Sequence, residues 1–290
     1  MKILITGGGG FIARNLHEHL QDEHAVVACH RADLDLLDAS AVANYLVRQQ
    51  FDVVIHAATY DAAPKHSTKD PSKVLENNLR MFFNITRCAS DFGRMIYFGS
   101  GAEFSREHWI SRMTEEYFDQ HVPTDQYGYS KYLMTHYSAG WSNILNLRLF
   151  GVFGKYDDWR VRFISNGCCF TVLDLPIKIH QNRMFDFLNI DDLASIVKRF
   201  LKHPPSKSVL NICSGRAIDF RTVAEMIIRV AGKSLPVEIL TDGWGREYSG
   251  DNSRLREELP DFQFSSLEES IKTLYEWYAT NSHLIDRHLL

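Results

Sequence analysis

No run of about eighteen apolar residues occurs anywhere in this 290-residue chain, so nothing in it is long enough to cross a bilayer as a helix. The opening MKILITGGGG stops its apolar run at a glycine cluster, which is not the form of a secretion signal, and a cytoplasmic protein with no membrane partner is expected. Positive charge is not in surplus either. Lys and Arg number 32 against 36 Asp and Glu, a net charge of −4, and no local basic patch offsets it, so nucleic acid is not an expected partner. Cysteine is scarce: Cys29, Cys88, Cys168, Cys169 and Cys213 form an odd set without C-x-x-C spacing. Four of them lie in apolar stretches, so they read as reduced thiols packed as small hydrophobes rather than as disulfides or metal ligands. The 13 histidines are scattered without ligand spacing, and no metal is expected. Internal repeats and low-complexity segments are absent.

What is present is an ordinary globular composition, 45% hydrophobic and 23% charged, with a regular alternation of patterns. Lys2–Thr6 is a short apolar strand running into glycines, and Phe11–Leu20 carries apolar residues at helical spacing. Ala25–Cys29 reads as a strand, Asp38 as the cap of a helix through Gln49, and Asp52–Ala58 as a strand. A long helix over Val74–Ser90, a strand over Met95–Gly99, a helix over Asp125–Gly140 and a strand over Ile144–Phe150 follow. Strands separated by helices pair in parallel through crossovers, which predicts an α/β fold with a doubly wound parallel sheet of Rossmann type. After Gly154 the alternation becomes irregular. A smaller C-terminal α/β lobe is therefore expected over 155–186 and 214–290, with 1–154 and about 187–213 forming the sheet domain.

The segment Thr6-Gly7-Gly8-Gly9-Gly10-Phe11-Ile12-Ala13 joins the first strand to the first helix. Gly7 and Gly10 allow a sharp turn and close approach of backbone to a pyrophosphate, and the N-terminus at Phe11 and Ile12 supplies free N–H groups and a positive dipole end. At that junction the pattern points to a dinucleotide. The second strand ends Cys29-His30-Arg31, without the carboxylate that would hold a free ribose 2′-hydroxyl. Arg31 there suits a 2′-phosphate, so NADP(H) is favoured over NAD(H). Asp35 and Leu36, in the next loop, are placed to touch the adenine.

Tyr127 and Lys131 stand four residues apart, one helical turn, on one face. A phenol titrates near pH 10 and serves poorly as an acid at neutrality; a neighbouring ammonium stabilises its phenolate. The pair opens the helix that follows the fourth strand, and at that strand's end Ser100 offers a hydroxyl to orient a substrate oxygen.

TGGGGFIA, DVVIHAA, FGSGAEF, YGYSK, RLFGVFG, FDFLNIDDL and NICSG occur in the order seen in extended short-chain dehydrogenases/reductases, the NAD-dependent epimerase/dehydratase enzymes that act on nucleotide sugars. The chain resembles that family over nearly its whole length. The resemblance implies a Rossmann domain, a substrate lobe, a Ser100–Tyr127–Lys131 triad, and a homodimer through the helices near 74–90 and 125–140. By motif, Ala57 and Ala58 would line the cofactor, Asn78 would support the site, and Arg246 and the offset Arg183 would hold a substrate diphosphate. The departures narrow the reaction. Where sugar dehydratases carry an Asp-Glu pair beside the hydroxyl residue, this chain has Gly101 and Ala102; where enzymes similar to GDP-fucose synthase carry a Cys, it has Ala102. The usual Arg-x-x-Asn is Arg148-Leu-Phe-Gly151 here. Arg160 and Arg162 follow, either as phosphate ligands or as surface charges, with Asn166 and His180 as further candidate donors. The expected activity is NADPH-dependent reduction of a nucleotide-linked 4-keto sugar; a nucleotide-sugar 4-epimerase is the alternative. A binding-only protein would have no need of Tyr127 beside Lys131.

Overall fold

The computed structural model describes residues 1–61 and 67–289. The first elements are β1 (Lys2–Thr6), α1 (Phe11–Leu20), β2 (Ala25–Cys29), α2 (Ala39–Gln49), β3 (Val53–His56) and α3 (Val74–Thr86). Next come β4 (Arg94–Ser100), α4 (Gln126–Ser138), β5 (Ile144–Leu149), β6 (Gly151–Phe153), α5 (Phe163–Val172), β7 (Ile177–Asn182) and β8 (Met184–Asn189). The chain ends through α6 (Ile190–Lys202), β9 (Val209–Ile212), β10 (Ala217–Asp219), α7 (Phe220–Val230), β11 (Val237–Trp244), α8 (Ser253–Glu258) and α9 (Leu267–Thr280). Two compact units contain them: Met1–His108, Thr114–Leu149 and Val197–Asn211 in the first, Trp109–Met113, Phe150–Ile196 and Ile212–Leu290 in the second.

The first unit is built on a sheet of order β2-β1-β3-β4-β5-β9, and β1, β2, β3, β4 and β5 pair in parallel. This is the doubly wound sheet that the alternation predicts. Strands covered on both faces must be apolar throughout, and all four residues of β3 are buried accordingly. The helix starts follow their capping residues: Asp38 accepts the Ser40 and Ala41 N–H groups, and Asp125 accepts that of Gly128. α3 stops at Thr86 rather than Ser90 because its bonds tighten there, Cys88 to Ile85 and Ala89 to Thr86, and Asn143 takes the Ala89 carbonyl. β3 stops at His56 rather than Ala58, since the chain beyond it is held by side chains instead of a neighbouring strand. Leu4, Val54, Phe82, Ile85, Met95 and Tyr97 centre the core on one side of the sheet.

The second unit has a three-stranded sheet, β10-β8-β6, and a parallel pair, β11-β7. α5, α7 and α9 pack together through Ile164, Cys168, Ile227, Ile271, Leu274 and Tyr278. An aromatic group fills its other part, with Phe163 stacked on Phe220 at 4.1 Å and Phe185 4.9 Å from Phe187. All five cysteines are buried, and none forms a disulfide. Among the described residues no helix is long and apolar enough to cross a membrane, and no group of His, Cys, Asp and Glu gathers as around a metal ion.

Candidate active site

In a parallel sheet all strands end at one edge, and the loops leaving β1, β3 and β4 are neighbours there. Gly7 sits at φ +72°, and a Cβ on it would lie 2.8 Å from the Ala58 Cα. Only glycine allows the β1 loop to lie this flat against the exit of β3. Gly8 donates to the Cys29 carbonyl, Gly10 donates to that of Gly7, and α1 then starts at Phe11 without a side-chain cap. A glycine cradle with an uncapped helix N-terminus suits a pyrophosphate, so the residues present fit a dinucleotide.

The exit of β3 is fixed from two sides. Thr6 Oγ1 accepts the Ala58 N–H at 3.2 Å and lies 2.9 Å from His56 Nδ1. Burial, and secondarily the Lys131 charge, lower the His56 pKa to about 3, so the ring is neutral. Asn78, on α3, accepts the Tyr60 N–H at 2.7 Å and donates to the Tyr60 carbonyl at 3.1 Å. Ala57 and Ala58 are thereby held half-buried beside the glycines.

At the end of β2, the Arg31 side chain is 74% exposed and makes only a 3.5 Å contact with Asp35. Asp35 also accepts the Leu37 N–H. Leu36 is packed into the core, so its side chain is not presented at the surface.

Ser100 ends β4, half-buried, and its Oγ accepts the Ala102 N–H at 3.2 Å. A short 3-10 turn, Gly101–Phe104, follows. α4 lies directly on this turn: a Cβ at Gly128 would come within 2.7 Å of the Ala102 carbonyl. Tyr127 precedes that contact and is therefore carried to the Ser100 turn. Lys131, one helical turn on, is buried; its Nζ donates to the Phe98 carbonyl at 2.8 Å and lies 5.8 Å from the centre of the Tyr127 ring. Burial pulls the Lys131 pKa down to about 8, with Glu103 and Asp61 opposing that fall.

Glu103 is a residue that sequence reasoning missed. It is fully buried, accepts from Arg148 Nε at 2.6 Å and also accepts the Thr135 hydroxyl. The signal available was an acid inside the apolar run FGSGAEF. With Glu103 committed to the core, and Gly101 and Ala102 lacking side-chain acids, this turn presents no acid or base beside Ser100.

In the second unit, Asp158 grips Arg160 at 2.7 and 2.8 Å. Arg162 is exposed and 4.0 Å from the Asp157 carboxylate, Asn166 donates to the Trp159 carbonyl, and His180 is exposed. The turn after β11 pairs with β7 through the Gly245 N–H on the Asn182 carbonyl, which brings Arg183 and exposed Arg246 near each other in the chain's path. Arg183 Nε is buried without a hydrogen-bond partner. Trp244, 65% exposed beside them, was also not anticipated.

Comparison with known proteins bears on the family and the fold. The chain is 27% identical over 330 residues to the ADP-L-glycero-D-manno-heptose-6-epimerase of Cupriavidus pinatubonensis, covering 96% of this chain and 98% of that one. It is 26% identical over 262 residues to the GDP-6-deoxy-D-mannose reductase of Pseudomonas aeruginosa, covering 83% of each. Its fold is similar to that of the GDP-mannoheptose C4 reductase from Campylobacter jejuni with NADP bound, with a TM-score of 0.81 at 20% identity over 96% of this chain and 98% of that one. Residues 3–213 match the NAD dependent epimerase/dehydratase family, and the chain belongs to that family as an NAD(P)-dependent enzyme of the extended short-chain dehydrogenase/reductase type.

Proposed function

We propose that the chain is an NADPH-dependent reductase of a nucleotide-linked 4-keto sugar, a deoxyhexose or heptose, in the synthesis of surface polysaccharide. The observation that carries this reading is the Ser100 turn, which offers a hydroxyl, Tyr127 and Lys131 but no further acid or base. Elimination of water or epimerisation beside the ketone needs such a group. Gly7, Gly10, Ala58 and the start of α1 would hold the dinucleotide, with Arg31 on its 2′-phosphate. When bound, the nicotinamide supplies the hydride. Ser100 Oγ accepts the Ala102 N–H, which leaves its own proton to point at the substrate oxygen. Tyr127 gives that oxygen a proton as the carbon is reduced, and the Lys131 ammonium stabilises the resulting phenolate. Arg183 and Arg246 would take the diphosphate; Arg160, gripped by Asp158, is less suited to it.

The test is NADPH oxidation with a panel of GDP-, dTDP-, UDP- and CDP-4-keto sugars. One substrate should give stoichiometric oxidation, and Tyr127→Phe should lower kcat by about 10²–10⁴-fold with cofactor affinity kept. A second reading is favoured by the names of several relatives: an epimerase that retains its cofactor and returns the hydride. Interconversion of two nucleotide sugars without net NADPH loss would select it over reduction.

This reading includes a homodimer through α3 and α4. In support, Phe83, Tyr137 and Trp141 form a continuous aromatic run, with centres 4.9 and 5.9 Å apart, and Trp141 is 38% exposed. Light scattering should give twice the chain mass, reduced to the chain mass by Trp141→Arg; a monomeric wild type would refute it.

A further inference from the structure

Tyr127, Lys131 and Thr135 lie at successive fourth positions of α4, one stripe facing the end of β4. Thr135 Oγ1 carries three bonds: it donates to Glu103 Oε2, accepts from Asn146 Nδ2 at 2.9 Å, and is 2.6 Å from the Tyr97 hydroxyl. Since its one proton goes to Glu103, Tyr97 must be the donor of the third bond. Asn146 in turn accepts the Gly99 N–H at 3.2 Å. The other Glu103 oxygen takes Arg148 Nε, and Arg148 Nη1 donates to Asn211 at 3.1 Å while its guanidinium lies 4.4 Å from the Phe104 ring centre. Glu103 thus ties the Ser100 turn to the helix that bears Tyr127 and Lys131. Partners satisfy both of its oxygens, although a carboxylate is costly to bury.

We propose that Glu103 is a positioning residue for Tyr127 and Lys131, anchoring their helix to the Ser100 turn through Thr135 and placing a buried negative charge on the stripe of that helix that carries Lys131. Among the described residues, the charged and titratable groups facing Lys131 are Glu103 from the turn, Asp61 from the loop after β3, His56 from β3 and Tyr127 on its own helix. His56 is neutral, so among the described residues it is Glu103 and Asp61 that oppose the desolvation of the ammonium, Glu103 ahead of Asp61. This deepens the proposed role of the pair, but it is tested without substrate or cofactor.

The experiment follows the ¹³Cε resonance of labelled lysine with pH, with Lys131 assigned by its loss in Lys131→Arg. Charge and shape predict opposite orders for two substitutions. Glu103→Gln keeps the shape and loses the charge; Glu103→Asp keeps the charge and shortens the reach. Wild type should titrate near 8, Glu103→Gln about one unit lower, and Glu103→Asp near wild type. The pair Glu103→Gln with Arg148→Gln leaves no buried unpaired charge, so it should fold even if the single variant fails, and it should show a smaller lowering because the Arg148 charge goes with that of Glu103. An unchanged midpoint in the Gln variants, or an equal shift in Asp and Gln, would overturn the proposal. A shifted midpoint in a protein that reduces no keto sugar would instead count against the reductase reading and leave Glu103 in its role.

Discussion

Two arginines separate the two units. Arg148, in the first, is 1% exposed and fully engaged, with a carboxylate, an amide and an aromatic face around it. Arg183, in the second, holds a buried Nε that bonds to nothing. A donor satisfied within the fold contributes to stability, whereas one left open inside costs free energy that a ligand can recover. Arg148 is thus a finished part of its unit's frame, whereas Arg183 keeps a donor that a ligand could take.

Removing charge from each arginine should give opposite results. Arg148→Leu leaves Glu103 buried and uncompensated, and a loss of about 3–5 kcal/mol in unfolding free energy is expected by denaturant titration. A loss under 1 kcal/mol would mean the pair is not a structural unit. Arg183→Gln should leave stability within about 0.5 kcal/mol, yet raise KM for the nucleotide sugar about tenfold with kcat little changed, which corresponds to about 1.4 kcal/mol. Destabilisation with unaltered KM would erase the contrast. A third effect, read as a slope with pH, concerns Asp157, whose pKa burial raises to about 7. An acid raised in the folded state binds its proton more tightly there than in the unfolded chain. Its contribution is present below about pH 4 and is lost as pH rises towards and past 7. Asp157→Asn should therefore flatten the fall of Tm between pH 5 and pH 8; an identical slope would place the cause elsewhere.

The frame was the more legible part because local rules write it. Glycines at Gly7 and Gly10, capping aspartates at Asp38 and Asp125, and the Tyr127–Lys131 spacing each act within a few residues of chain. Glu103, Thr135 and Arg148 meet only in the folded state, so no spacing announces them, and the Asp158 grip on Arg160 is likewise visible only in three dimensions. β6 and β10 are three residues long each, too short for a period-2 pattern to stand out. Leu36 illustrates the same limit: the sequence does not tell that its side chain turns into the core.

The Gly99 amide carries one more consequence. It ends on the Asn146 side chain, so its proton is shielded by the polar cluster around Thr135. Deuterium would replace it whenever that cluster opens, even while the strands on either side remain paired. A single backbone position thus works as a clock for the opening of the helix that carries Tyr127 and Lys131, readable in the native protein without any reaction taking place.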